Sequence, residues 1–273
     1  MIKFAVFVCT HGRPAEQLTA VALRRCGYTG EIILLLDDED ETYDEYVKNF
    51  PDWHIEVFNK QHYIDTIDTG TNVDQRKCII YAKCAADDIA HKLGLDAYVV
   101  TDDDLLRFRH RFIYNNKLCS MPVTNMDEVL LTYANYVCEC NIAAMSFGDI
   151  RLYMSGVPRV DRVPYTFVFR NTAIQYDWHS SMYEDTVTPV LNGMRGALTL
   201  ELPDIQLDVK MTTSSTTGGM ADVYATMSIF SRAGTVMLYH PSCVKYANNQ
   251  VGFVLTKNKA FPKILSFRYR KEN

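Results

Sequence analysis

Between residues 96 and 108 the sequence reads DAYVVTDDDLLRF: an apolar run from Ala97 to Val100 delivers Thr101 and three consecutive carboxylates, Asp102, Asp103 and Asp104, before apolar residues resume at Leu105. Adjacent carboxylates repel one another, so three of them beside a buried run call for something positive, most economically a divalent cation. Side chains alternate along an extended segment, which puts Asp102 and Asp104 on one side as candidate metal ligands. Asp102 can also face a ribose, whereas Asp103 points the other way, toward backbone or arginine donors. The competing reading is a solvated acidic turn.

The elements that must carry these residues alternate strand and helix. IKFAVFVC (2 to 9) reads as a buried strand, and PAEQLTAVALRRCG as a helix with Pro14 at its start and Gly27 just past its end. EIILLL (31 to 36) is a second strand that stops at Asp37-Asp38, DETYDEYVKNF a short acidic helix and HIEVF a third strand. VDQRKCIIYAKCAADDIAHKLG is a longer helix closed by Gly94, and DAYVVT the fourth strand. Buried strands separated by helices predict an α/β fold with a mainly parallel sheet, whose ligands bind beyond the carboxyl ends of the strands. Thr10-His11-Gly12-Arg13, Asp37-Asp38 and Asp102-Asp103-Asp104 follow strands one, two and four, so they converge on one sheet edge. One cation cannot use them all. A nucleoside diphosphate with its metal has enough parts: a base, a ribose whose hydroxyls suit a carboxylate, and phosphates that need cations. Arg76 and Lys77 open the long helix, where cations oppose the helix dipole unless a diphosphate binds there; a solvated face is the rival reading.

Composition bounds the function. The 273 residues, 48% hydrophobic and 22% charged, suffice for a sizeable core, and no Pro- or Gly-rich linker divides them, which predicts one domain over 1–273. Its first half, 1–115, carries the nucleotide-binding features, and 116–273 is left to bind the acceptor and supply the catalytic base. A net charge of -5 argues against coating nucleic acid by bulk electrostatics. Locally, Arg107, Arg109 and Arg111 and the basic tail (Lys257, Lys259, Lys263, Arg268, Arg270, Lys271 against Glu272) suit phosphates or a solvated face. The eight cysteines lie scattered in apolar patterns, and Cys138-x-Cys140 lacks zinc spacing, so neither disulfides nor a structural zinc is expected. No apolar run reaches the roughly 18 residues of a membrane helix and no signal-peptide cleavage site is present, so a cytoplasmic protein is expected. TTSSTTGGMADVY (212 to 224) reads as a loop before a helix near Met220, either a lid or a passive surface segment.

FAVFVCTHGRPAEQLTAVALRRCGYTGEIILLLDDED resembles the opening of a GT-A glycosyltransferase: a strand, a Thr-x-x-Arg-Pro turn, a helix, and a second strand ending in paired aspartates. TDDDLLRF resembles the DxD motif of that fold. Together with DQRKCIIYAKCAADDIAHKLGLDAYVVTDDDLLRFRHRF, the opening is similar to the small TET-associated glycosyltransferases of phages, proposed to place sugars on hydroxymethylated pyrimidines in DNA. The likeness covers about the first 115 residues and thins afterwards. It implies a GT-A, Rossmann-like fold with a mixed, mainly parallel sheet flanked by helices, a UDP-sugar donor and Mn2+ or Mg2+. It implies nucleotide contacts from Thr10, His11 and Arg13, and base or ribose contacts from Asp37 or Asp38, for which helix capping is the rival role. Asp102 and Asp104 would take the metal, with a late histidine: His240 at the end of TVMLYH, read as a strand, or else His179. Lys245 would neutralise the leaving diphosphate. Glu184-Asp185 in SSMYEDTVTPVLNGMRG resembles the element that places the base of inverting enzymes at a helix N-terminus, with Asp185 as base and Glu184 orienting acceptor or sugar; a capping pair with Ser180 or Ser181 is the alternative.

The reaction so implied is inverting transfer from a UDP-sugar to the hydroxyl of a 5-hydroxymethylpyrimidine in DNA. Tyr176 or Trp178 would stack on an extruded base or fill its place. A glycan or protein acceptor is the nearest alternative. A sugar nucleotidyltransferase should open with a glycine-rich loop, which THGRP is not, and a catalytically inactive nucleotide- or DNA-binding module would have lost the carboxylates that are present.

Overall fold

The computed structural model describes residues 2–70, 76–149, 159–160, 164–210, 227–249 and 251–255. The chain opens with β1 (Phe4–Cys9), α1 (Leu18–Arg25), β2 (Glu31–Asp37), α2 (Tyr43–Asn49), β3 (His54–Phe58), α3 (Lys60–Thr66), α4 (Ile80–Lys92) and β4 (Ala97–Asp102). It continues through a hairpin, β5 (Leu105–Tyr114) and β6 (Lys117–Pro122), then α5 (Met126–Glu139), β7 (Ile142–Asp149), β8 (Arg159–Val160) and β9 (Val168–Asn171). α6 (Glu184–Met194), β10 (Leu198–Val209), α7 (Ile229–Tyr239), β11 (Val244–Tyr246) and β12 (Phe253–Leu255) complete the described elements.

The main sheet runs β3-β2-β1-β4-β9-β7-β10-β5-β6, with β8 beside β10. β3, β2, β1 and β4 are parallel, β9 is antiparallel to both its neighbours, β10 is parallel to β7, and β5 and β6 are antiparallel to their neighbours. This is the mixed, mainly parallel α/β sheet that the sequence pattern implies. β1 is apolar on both sides because both are covered. Val6 and Val8 pack with α1 and α5, while Phe7 and Cys9 pack with α3 and α4. A third, smaller core joins α6, α7, β11 and β12.

Several expectations are corrected. The first helix starts at Leu18 with Gln17 before it, four residues beyond Pro14, because Gln17 turns its amide onto the Arg13 carbonyl and Thr10 and so belongs to the preceding turn. α3, not expected at all, is capped by Asn59, whose side chain accepts from the His62 N–H. TVMLYH is no strand: it is the end of α7, which the Ser228 cap starts and which buries Ala233 and Val236 at helical spacing. No disulfide links the eight cysteines. No described helix is long and apolar enough to cross a membrane. The loop at 212–224 and the basic tail lie outside the described residues.

Candidate functional site

The carboxyl ends of β1, β2 and β4 open into a cleft of about 410 Å³ whose lining includes Thr10, His11, Arg13, Asp37, Lys60, Arg76, Lys77 and Asp102. The turn after β1 is held by side chains from three elements. Gly12, at φ +65°, donates its N–H to Asp40, and the Arg13 N–H donates to the Tyr46 hydroxyl. Thr10 donates to Asp103 at 2.7 Å, and Arg13 pairs with the other oxygen of that carboxylate at 3.0 Å. Asp103 is therefore the brace between the turn after β1 and the end of β4; burial pushes its carboxyl up to about 6 against the pull of Arg13 and Thr10.

Asp37 is buried and shared between His11 and Lys60, each at 2.8 Å. Burial alone would raise its carboxyl, but the hydrogen bonds to His11 and Lys60 hold it below the usual range, and the bond to Asp37 raises His11. Asp38 is exposed and accepts the Lys60 N–H at 3.0 Å, a capping role at the start of α3. Arg76 reaches across the rim to Glu39 and Gln61. Lys245 stands exposed on β11 and is not among the cleft-lining residues.

Glu184, Asp102 and Asp185 act on one largely buried lysine, Lys83, whose side chain is 12% exposed. Lys83 on α4 pairs with Glu184 at 2.8 Å and lies 5.2 Å from the centre of the Trp178 ring. Burial opposes its charge, but Glu184, Asp102 and Asp185 together keep it protonated. Asp102 is raised by burial, and Asp104 is pushed up to about 7 by burial and by Asp102 and Asp103. One Asp104 oxygen is buried without a hydrogen-bond partner. Asp185, in the first turn of α6, is likewise pushed up to about 7 by burial and the Glu184 charge, with Lys83 opposing. α6 is fixed by Asn192, which clasps the backbone of Asp177 from both sides, and by Thr188, which does the same for His179. The residue before it, Tyr183, has φ +52°, a conformation L residues seldom adopt.

Asp102, Asp104 and His240 do not converge into a group of three able to grip an ion; no such group occurs among the described residues. His240 is buried at the end of α7, where its Nε2 donates to the Val187 carbonyl at 3.2 Å and its Nδ1 has no partner. Tyr176 and Trp178 are buried, 3% and 7% exposed, and pack edge to face in the core, so they are not surface stacking platforms. The Tyr176 hydroxyl and the Trp178 Nε1 have no hydrogen-bond partner.

Lys60, Lys83, Asp40 and Tyr46 are the residues the sequence reading did not pick out. Lys83 left a trace, as the lone cation inside the apolar run IIYAKCAA. Lys60 left none, because the helix that carries it was unread.

The fold is similar to that of glucosyl-3-phosphoglycerate synthase from Mycobacterium tuberculosis. In its complex with Mg2+ and UDP the TM-score is 0.52 at 10% identity, over 93% of this chain and 87% of that one. In its complex with Mn2+, UDP-glucose and phosphoglyceric acid the TM-score is 0.51, again at 10% identity, over 93% and 86%. At such identity the likeness establishes a GT-A type fold and nothing finer. No curated protein sequence matches the chain. The model of the TET-associated glycosyltransferases matches residues 4–219, most of the chain, and on that match the chain belongs to the TET-associated glycosyltransferase family and is a glycosyltransferase.

Proposed function

We propose that the chain transfers a sugar from a UDP-sugar to the hydroxyl of a 5-hydroxymethylpyrimidine in DNA, with Mn2+ or Mg2+ and with inversion at the anomeric carbon. The observation that carries the chemistry is the position of Asp185: half-buried in the first turn of α6, pushed up to about 7, and sharing the Lys83 cation with Asp102 and Glu184. An acceptor hydroxyl must lose its proton as it attacks, and a carboxylate poised near neutral pH suits that task.

Asp102 and Asp104 are the donors that suit a divalent metal, which diphosphate oxygens would have to complete because His240 does not converge with them. Asp104 keeps a buried oxygen without a partner, and burial with the Asp102 and Asp103 charges raises its carboxyl against the pull of Arg13, a balance that a cation completed by diphosphate oxygens would shift. The metal, when bound, stabilises negative charge on the departing diphosphate. Arg13, Lys60, Arg76 and Lys77 line the cleft where that diphosphate and its nucleoside would lie, with His11 and Asp37 at the ribose or base. The mycobacterial enzyme of similar fold is solved with UDP-glucose and Mn2+, which favours a uridine nucleotide here. Asp185 takes the acceptor proton, the acceptor oxygen bonds to the anomeric carbon, and the bond from that carbon to UDP breaks. The DNA acceptor rests on the family and on the arginines after Asp104.

The test is incubation of the purified protein and Mn2+ with a panel of UDP-sugars and DNA bearing 5-hydroxymethylcytosine or 5-hydroxymethyluracil, with nucleoside masses read after digestion. A sugar mass increment that Asp104→Ala abolishes is expected. UDP release without DNA modification removes the acceptor assignment and keeps the chemistry, and retention of configuration removes Asp185 as base.

A further inference from the structure

Two buried donors between β9 and α6 have nothing to donate to. The Tyr176 hydroxyl and the Trp178 Nε1 belong to buried residues, and neither finds an acceptor among the described residues. A buried O–H or N–H stripped of water costs free energy until something accepts from it, so native folds keep few such groups unless a water or a ligand completes the bond. Neither ring is free to swing toward a partner. Trp178 lies between Asp177, whose N–H and carbonyl are both bonded to Asn192 of α6, and His179, bonded in the same way to Thr188. Tyr176 is wedged between the Arg170 guanidinium, 4.2 Å from its ring centre, and the Trp178 ring, edge to face at 5.3 Å.

Their neighbours narrow the choice of ligand. The Lys83 ammonium lies 5.2 Å from the Trp178 ring centre, and the charges of Lys83 and Asp185 both act on the Tyr176 hydroxyl. Lys83 in turn bonds Glu184 and responds to Asp102 at the end of β4 and to Asp185 at the head of α6. Both rings share an apolar cluster with Cys9 and Cys78, which line the cleft. In the transfer reaction the diphosphate departs on the side of Asp102 while Asp185 deprotonates the acceptor, so the sugar ring has to lie between those two carboxylates. Lys83, which feels both, marks that interval, and the two rings stand against Lys83. A sugar ring brings hydroxyl oxygens that accept hydrogen bonds, whereas the nucleoside and its phosphates already have His11, Asp37, Lys60 and Arg13 in the cleft.

We propose that the Tyr176 hydroxyl and the Trp178 indole N–H donate to hydroxyl oxygens of the transferred sugar and so set which UDP-sugar the chain accepts. The proposal rests on the glycosyl-transfer reading with Asp185 as base and adds the residues that read the sugar. Because both donors are already out of water in the free protein, a sugar that lacks the matching hydroxyl leaves them unpaired and is rejected.

The test is calorimetric titration of the full chain and Mn2+ with UDP, UDP-glucose and UDP-galactose, comparing the wild type with Tyr176→Phe and Trp178→Phe. The quantity read is each UDP-sugar's affinity relative to that of UDP, a ratio in which any loss at the nucleotide or the metal cancels. Tyr176→Phe removes one oxygen at nearly constant volume. It should melt no lower than wild type and bind UDP within twofold of it, while the ratio for the preferred sugar falls about tenfold. Trp178→Phe should lower the same ratio, whatever its core substitution does to the melting point. Deoxy analogues of the preferred UDP-sugar then locate the bond: one of them should bind wild type about tenfold more weakly than the parent and lose nothing further in Tyr176→Phe. If wild type transfers sugar and both variants keep the ratio, the sugar contacts fall and the transfer reading stands. A Tyr176→Phe variant that melts lower with its ratio unchanged overturns the proposal in favour of a buried water as the partner of the hydroxyl. If wild type turns over no UDP-sugar, both fall.

Discussion

A carboxylate acts as a base only after losing its proton, so the pH profile of transfer reports on Asp185. Its carboxyl is pushed up to about 7, so kcat/KM should rise with pH through that value and then level off. Asp185→Asn should lower kcat by 10² to 10⁴-fold, remove that limb and leave UDP affinity nearly unchanged, which steady-state kinetics and calorimetry measure. Asp104 makes a complementary prediction about stability. The unfolded carboxyl ionises near 4, whereas the folded one is pushed up to about 7, so between those values the folded chain holds the extra proton and stability falls as pH rises. At pH 8 without metal, Asp104→Asn should therefore melt a few degrees higher than wild type, and Mn2+, which should raise the wild-type melting point, should leave the variant nearly unmoved. A variant less stable than wild type at pH 8 would mean that Asp104 is held by contacts its buried, unpartnered oxygen does not suggest.

Two helices meet through one ion pair, and that junction sets the relation between the strand-end aspartates and the base. Lys83 on α4 and Glu184 on α6 are 12% and 17% exposed in their side chains, so removing one partner strands the other in a poorly solvated place. Lys83→Met should cost about 3 kcal/mol in urea unfolding, and Lys83→Met with Glu184→Gln should regain most of it without regaining transfer. This junction was half legible. The polar residues at the ends of β1, β2 and β4 follow from continuous apolar runs and the rule that parallel sheets bind ligands at their carboxyl ends, and Glu184-Asp185 stand out as acids at the head of a segment that turns out to be α6. The lysine that joins them did not stand out, because helical periodicity places it on a buried face where cations are rarely expected. α7 was misread for a related reason: a short apolar run such as TVMLY fits either period, and only the Ser228 cap and the spacing of Ala233 and Val236 decide for helix. The pairing of β9 between β4 and β7 was not legible at all, since long-range strand order leaves no local mark.

That strand order joins the two halves of the chain. β9, from residues 168–171, lies between β4 and β7, while β5 and β6, from residues 105–122, occupy the far edge beyond β10. A fragment ending near residue 115 would leave β4 as an open edge and half of the hairpin without its partners, so the nucleotide-binding half has no core of its own to close. The expectation is one cooperative unit over 1–273. Its two tryptophans report on both sheet faces, Trp53 packing against the α1 and α5 side and Trp178 lying within the α3 and α4 side. Urea unfolding followed by far-ultraviolet circular dichroism and by tryptophan fluorescence should therefore give coincident transitions. Fragment 1–115 should show no cooperative transition and no UDP binding by calorimetry. A biphasic curve, or a fragment that binds UDP, would instead make the first half an independent domain, and the Lys83 to Glu184 pair would then be a contact between domains, where relative motion would change the distance from Asp185 to the strand-end aspartates.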